Sequence, residues 1–230
     1  MGFVFSDCLL RTPNIVYRTD VGEVKHITLS RQNSIDLGTD ALLRVRSTAD
    51  HVAVELVKGE AFFIVGTEPR TPLFIQAANV EIRAMEARFD VRRESSDDLQ
   101  VAVSQGDVEL RSPIHTLIRD GQTAIISGNS EGIRIFSNTE INRKIAWMTG
   151  YLEYSGEALY DVVSDFNRFN RLKIVIDDTS IADLRIAGRF PYTDPRSFCL
   201  SLERVFGVRT DLIKTDRGQE LHLRAPLRRT

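Results

Sequence analysis

The chain has 230 residues, 42% of them hydrophobic and 27% charged, proportions that exclude intrinsic disorder and a fibrous architecture. Thirty Lys and Arg stand against 32 Asp and Glu, a formal charge of −2, so no electrostatic excess drives counterion release from nucleic acid. Arg224, Arg228 and Arg229 form the one basic cluster, which reads as a solvated terminus.

The longest apolar runs, such as 61–65, fall far short of the roughly 20 residues that span a bilayer. Phe3-Val4-Phe5 is too short for a signal-peptide core. Cys8 and Cys199 are far apart and outside any C-x-x-C pattern; a disulfide between them is less expected than a buried free thiol at Cys199.

From Val16 to about Ile135 the pattern is β throughout. Val21, Ile27 and Leu29 open it, and Ile35-Asp36-Leu37 follows the turn at Gln32-Asn33-Ser34. Val52 to Leu56 leads through Lys58-Gly59-Glu60 into Ala61 to Val65, two strands around a glycine. Val80, Ile82 and Ala84 alternate inward, and so do Ala87, Phe89 and Val91, with a parity flip between the sets. The flip predicts a β-bulge at Met85 or Glu86. Val101, Val103, Val108 and Leu110 flank Gln105-Gly106-Asp107, a hairpin signal.

This half, residues 1–137, is predicted to be an all-β domain of β-sandwich or β-solenoid-like form. A linker over 138–149, around Asn138, Asn142 and Trp147, separates it from a small α+β domain over 150–230. That domain reads as two β-α-β units with both helices on one face of a sheet. In the first, the strand at Tyr151 to Tyr154 precedes a helix carrying Leu159, Val162, Val163, Phe166 and Phe169 on one face, with Ser155 as N-cap; Ile174 and Ile176 mark the return strand. In the second, Asp194 caps a helix from Pro195 to the stop at Gly207, with Phe198, Leu202 and Val205 inward. A last strand runs from Glu220 to Arg224.

Catalytic chemistry has little to build on. His26, His51, His115 and His222 sit in separate strand or turn contexts, at no metal-ligand spacing and without a Gly-x-Ser-x-Gly elbow. Asp177-Asp178-Thr179-Ser180 lacks the second loop that a carboxylate dyad requires and reads as an Asp-rich turn. Glycines fall singly at turns rather than in phosphate-binding spacing. No catalytic, cofactor-binding or metal-binding residue is predicted, and no enzyme.

The ordered series Thr19-Asp20-Val21-Gly22-Glu23, Val54-Glu55-Leu56, Gly59-Glu60-Ala61-Phe62-Phe63 and Pro72-Leu73-Phe74 resembles the FecR family signature. Arg88-Phe89-Asp90-Val91, Val101-x-Val103, Gly106-x-Val108, Leu117, Gly121-Gln122 and Trp147-x-x-Gly150 continue it. The second half is similar to the short domain shared with secretins and TonB-dependent receptors, through Leu159, Val162, Asn167-Arg168-Phe169, Arg185-x-x-Gly188-x-Phe190 and Phe198. The departures are Met85-Glu86-Ala87 where the family carries Leu-Gly-Thr, and Gln32-Asn33 where it carries an Asp-Gly turn.

This resemblance implies a single-pass inner-membrane anti-sigma regulator. Its cytoplasmic N-terminus holds an extracytoplasmic-function sigma factor, and its periplasmic part binds the signalling domain of a TonB-dependent outer-membrane transducer, in cell-surface signalling tied to iron or siderophores. The 230 residues are then a periplasmic fragment, with the membrane helix and the sigma-binding segment elsewhere. Residues 150 to 224 are expected to dock the partner. Arg185, Arg189 and Tyr192 would form a polar rim with an aromatic anchor, and Leu221 and Leu223 would lie on an exposed edge strand. The competing expectation is a carbohydrate- or cell-wall-binding β module that stacks ligands on exposed Phe62, Phe63 or Trp147.

Overall fold

The computed structural model describes residues 14–47, 52–67, 72–93, 98–111, 115–127, 133–137, 141–216 and 218–226. The first half carries β1 (Asn14–Arg18), β2 (Lys25–Thr28), β3 (Ser34–Leu37), β4 (Leu42–Ser47), β5 (Val52–Val65), β6 (Leu73–Ala77) and β7 (Val80–Ala84). It continues with β8 (Ala87–Arg93), β9 (Leu99–Gln105), β10 (Val108–Arg111), β11 (His115–Ile118), β12 (Gln122–Ile126) and β13 (Ile133–Ser137). All thirteen belong to one sheet, nearly closed like a barrel, around a single core that includes Ile35, Leu43, Leu56, Phe63, Ile82, Phe89 and Val103. The β expectation holds, and its finer form is one continuous sheet.

β5 makes that continuity possible. At 14 residues it exceeds the usual strand length of about 3–10, and its two halves have different neighbours. Val52 to Leu56 lie between β4 and β6, whereas Gly59 to Val65 lie between β3 and β8. The change of partner falls at Gly59, whose φ of +89° and missing Cβ let the strand pass Ala41; a methyl there would sit 2.6 Å from the Ala41 Cβ. Two predicted strands around a glycine are thus one strand that turns without stopping.

The remaining strands alternate between the two halves of the sheet. Hairpin β6–β7 joins the first half, β8–β9 the second, β10–β11 the first, and β12–β13 the second. Two sequence expectations change accordingly. The parity flip at Met85-Glu86 is a crossing between halves, with Glu86 at φ +52°, and not a bulge within one strand. Gly106 is likewise a crossing rather than a hairpin turn, since β9 pairs with β8 and β12 while β10 pairs with β7 and β11. A flip of inward parity follows whenever a chain changes sides of a core, so the pattern alone does not separate a bulge from a crossing. The buried Asn33 side chain accepts from the Gly66 amide at 3.0 Å and ties the β2–β3 turn to the end of β5.

The predicted linker is packed structure where it is described. Helix α1 (Ile141–Lys144) and a 3₁₀ turn over Ala146–Thr149 bury Ile141, Ala146 and Trp147. The second half then runs β14 (Tyr151–Ala158), α2 (Leu159–Phe169), β15 (Lys173–Ile176), β16 (Arg185–Pro191), α3 (Pro195–Phe206), β17 (Arg209–Thr215) and β18 (Gly218–Arg224). The two β-α-β units are present in sequence order, but neither pairs its own strands. β14 pairs antiparallel with β16, while β15 runs parallel to β18, which pairs antiparallel with β17. Two small sheets therefore replace the single predicted one. The helices meet through Phe166 and Phe198, whose rings stack at 4.4 Å.

Local signals are met unevenly. Asp194 accepts from the Ser197 amide at 3.0 Å, Pro195 opens α3 and Gly207 ends it at φ +70°. Ser155 is not the cap of α2: it lies within β14, and Ala158 occupies the N-cap. Val205, predicted inward, is 72% exposed.

Candidate functional site

The signature strand lies between the two domains. Along β5, Ala61 and Phe63 point into the β core, where Phe63 stacks on Phe89 at 5.2 Å. Glu60 and Phe62 take the opposite face. Phe62 joins the core of the second domain, with Trp147, Leu159, Val162 and Phe166, and Glu60 reaches α2. Gly-Glu-Ala-Phe-Phe is therefore a strand buried on both faces, with a carboxylate among its apolar residues.

Around Glu60 the two domains exchange charges. Its Oε2 accepts from Arg168 Nη2 at 2.8 Å, and the Glu60 side chain is 5% exposed. Arg92 on β8 reaches Asp165 of α2 at 3.4 Å, Arg168 lies 3.9 Å from the same carboxylate, and the Tyr154 hydroxyl donates to its second oxygen at 3.3 Å. Asp90, opposite Phe62 on β8, adjoins Glu60 and is buried, and its Oδ1 has no hydrogen-bond partner.

Burial works against each of these charges, and the partners decide the outcome. For Arg168, Glu60, Asp165 and Asp90 outweigh desolvation, so its pKa lies above the ordinary guanidinium value. For Asp165, burial prevails over Arg92 and Arg168 and raises the carboxyl. Asp90 is raised well above its usual range by burial and then by the charge of Glu60, against the pull of Arg92 and Arg168. Burial and the nearby Asp165 push the Tyr154 phenol up as well.

Backbone contacts seat α2 against the β domain. Thr39 Oγ1 accepts from the Gly22 amide at 2.8 Å and donates to the Arg168 carbonyl at 3.4 Å. Gly22, at φ +87°, lies so close to the Phe169 carbonyl that a Cβ would come within 3.1 Å of it. Gly38 donates to the Glu60 carbonyl at 2.8 Å and lies beside Trp147. Gly22, Glu60, Phe62, Asp90, Trp147 and Arg168, scattered through the quoted motifs, thus converge on one contact. A cleft of about 780 Å³ opens beside it, lined among others by Arg92, Arg143, Tyr154 and Tyr160.

The predicted partner-binding residues divide. Arg185 and Arg189 are exposed on β16, a strand that pairs only with β14 among the described residues; Arg189 stacks over Tyr151 at 4.0 Å and donates to Thr149 Oγ1 at 3.2 Å. Tyr192 is buried and stacks on Phe169 at 4.5 Å. Leu221 and Leu223 are buried because β18 is the central strand of its sheet, not an edge. Phe62, Phe63 and Trp147 are all buried, which leaves the carbohydrate expectation without its stacking platforms.

Cys199 is a buried free thiol, its pKa pushed up to about 12 by burial; Cys8 lies outside the described residues. Among the described residues no cluster of His, Cys, Asp and Glu is arranged to hold a metal ion, and no helix is long and apolar enough to cross a membrane.

Residues 15–109 match the family model described as FecR protein. Two crystal structures of a candidate anti-sigma factor from Parabacteroides distasonis ATCC 8503, at 1.65 and 2.50 Å resolution, share the fold. They superpose with TM-scores of 0.73 and 0.72 at 21% identity, over 93% of this chain and 100% of theirs. No curated protein matches the sequence.

Proposed function

We propose that this chain is the periplasmic sensing portion of a membrane-anchored anti-sigma regulator, and that it binds the signalling domain of a TonB-dependent outer-membrane transducer. Two findings support the regulator role: the FecR match over residues 15–109, and the shared fold with a candidate anti-sigma factor across both domains. On this reading a cytoplasmic segment of the full-length regulator holds the sigma factor, and the chain itself catalyses nothing.

The observation that carries the relay is the convergence of Gly22, Glu60, Phe62, Asp90, Trp147 and Arg168 on the contact between domains. A partner that docks on the second domain thereby acts on the signature strand of the first. The open outer edge of β16, flanked by exposed Arg185 and Arg189, offers the main-chain groups that strand addition requires. It takes the place assigned by sequence to the last strand.

Because Phe62 and Trp147 complete the second core, residues 150–224 alone would leave it open, and the whole chain is the proper test object. Titration calorimetry of the chain against a transducer signalling domain is expected to give saturable heat, and Arg185→Glu/Arg189→Glu to weaken it at least about tenfold. A correctly folded chain that gives no heat with the signalling domain of its own transducer overturns the reading.

A further inference from the structure

Among Glu60, Asp90, Asp165, Arg92 and Arg168, the contact between domains holds three acids and two bases. Glu60 and Asp165 are matched by Arg168 and Arg92, so these four groups balance, and Asp90 is the remainder. Ionised, it would leave a net negative charge buried at the contact, beside Glu60 and with one oxygen lacking any hydrogen-bond partner. Protonated, it donates to Glu60 and the cluster is neutral.

No surrounding cation hydrogen-bonds the open Asp90 oxygen. Lys58 pairs with Asp40 at 2.6 Å, Arg93 donates to the Val57 carbonyl at 2.6 Å, and Arg143 lies 4.0 Å from Glu157. Glu153 and Asp161, toward the mouth of the cleft, are exposed acids. Tyr154 faces Asp165. A buried unbalanced charge is costly, whereas the same groups with one proton added are self-satisfying.

We propose that the contact between the two domains is a proton-gated latch: Asp90 in its neutral form closes the Glu60–Arg168 and Arg92–Asp165 pairs around it, and its ionisation loosens the domains from each other. The direction follows from burial and from Glu60, which hold the Asp90 proton well beyond the ordinary carboxylate range. A folded-state pKa raised above the unfolded one gives stability that is complete below the unfolded value and is lost as pH rises through the folded one. The latch therefore holds at low pH and slackens on the alkaline side. Because it is built only from residues within this chain, it applies whatever partner the second domain docks.

Spin labels at Phe136→Cys on β13 and Val205→Cys on α3, both exposed sites, in a Cys8→Ser background, report the separation of the domains. From about pH 4 to about pH 9, the parent is expected to gain a second, longer distance as pH rises. Asp90→Asn, a permanently neutral isostere that still donates to Glu60, is expected to keep the short distance throughout, and Arg168→Met to show the long one at every pH. A parent distribution that does not change with pH, or a pH response that Asp90→Asn leaves intact, overturns the latch.

Discussion

Arg168 Nη2 lies 2.8 Å from Glu60 Oε2, joining residues 108 positions apart and the two domains of the chain. Because Glu60 is almost wholly enclosed, removing one partner strands a buried charge, which costs about 3–5 kcal/mol, whereas an exposed pair is worth under about 1 kcal/mol. Arg168→Met is therefore expected to lower unfolding stability by several kcal/mol. Adding Glu60→Gln should restore most of the loss. Urea unfolding of both single variants and the double variant measures the coupling directly.

Phe62 and Phe63 are neighbours in sequence with different cores, so their truncation should read differently. Each Phe→Ala costs about 3–5 kcal/mol. Phe62→Ala opens the cluster that holds Trp147, the only tryptophan, and should red-shift its emission. Phe63→Ala empties the site against Phe89 in the β core and should leave the native emission maximum unchanged. Fluorescence spectra of the two folded variants separate these outcomes.

Much of the second domain was legible because its signals are local. Leu159, Val162, Val163, Phe166 and Phe169 repeat at helical spacing, and Asp194, Pro195 and Gly207 bound their helix by backbone chemistry within a few residues. Pairing across long separations left no such trace. Leu221 and Leu223 alternate as they would in an edge or a central strand, and only the parallel pairing of β18 with β15 makes them central. The inter-domain cluster had a faint signal, the carboxylates of Glu60 and Asp90 inside apolar strand runs, where a charge calls for a partner. Nothing near them in sequence named Arg168.

Gly59 tests whether the change of partners along β5 depends on glycine. Its positive φ alone makes alanine unfavourable by about 1 kcal/mol, and the 2.6 Å approach of a new methyl to the Ala41 Cβ adds a steric cost of about 1–3 kcal/mol. Gly121 shares the positive φ, at +75°, but a methyl there would meet nothing within 4 Å. Thermal unfolding of Gly59→Ala and Gly121→Ala is expected to show the larger loss at Gly59, the difference being the steric part.

His222 provides a second pH response, separate from the contact between domains. Its Nδ1 lies 2.7 Å from Asp177 Oδ1 and its Nε2 3.1 Å from Glu220 Oε2, while Arg224 holds the other Asp177 oxygen at 3.0 Å. Burial opposes the imidazolium, but the hydrogen bonds to Asp177 and Glu220 outweigh it and raise its pKa, and the same contact holds Asp177 below its usual value. The raised group stabilises the fold fully below the unfolded value of about 6.5, and that contribution is lost as pH rises through the folded value. An NMR titration of the His222 ring should give a midpoint above about 6.5, and Asp177→Asn should bring it down. A midpoint that Asp177→Asn leaves in place would assign the effect to the hydrogen bond with Glu220 alone.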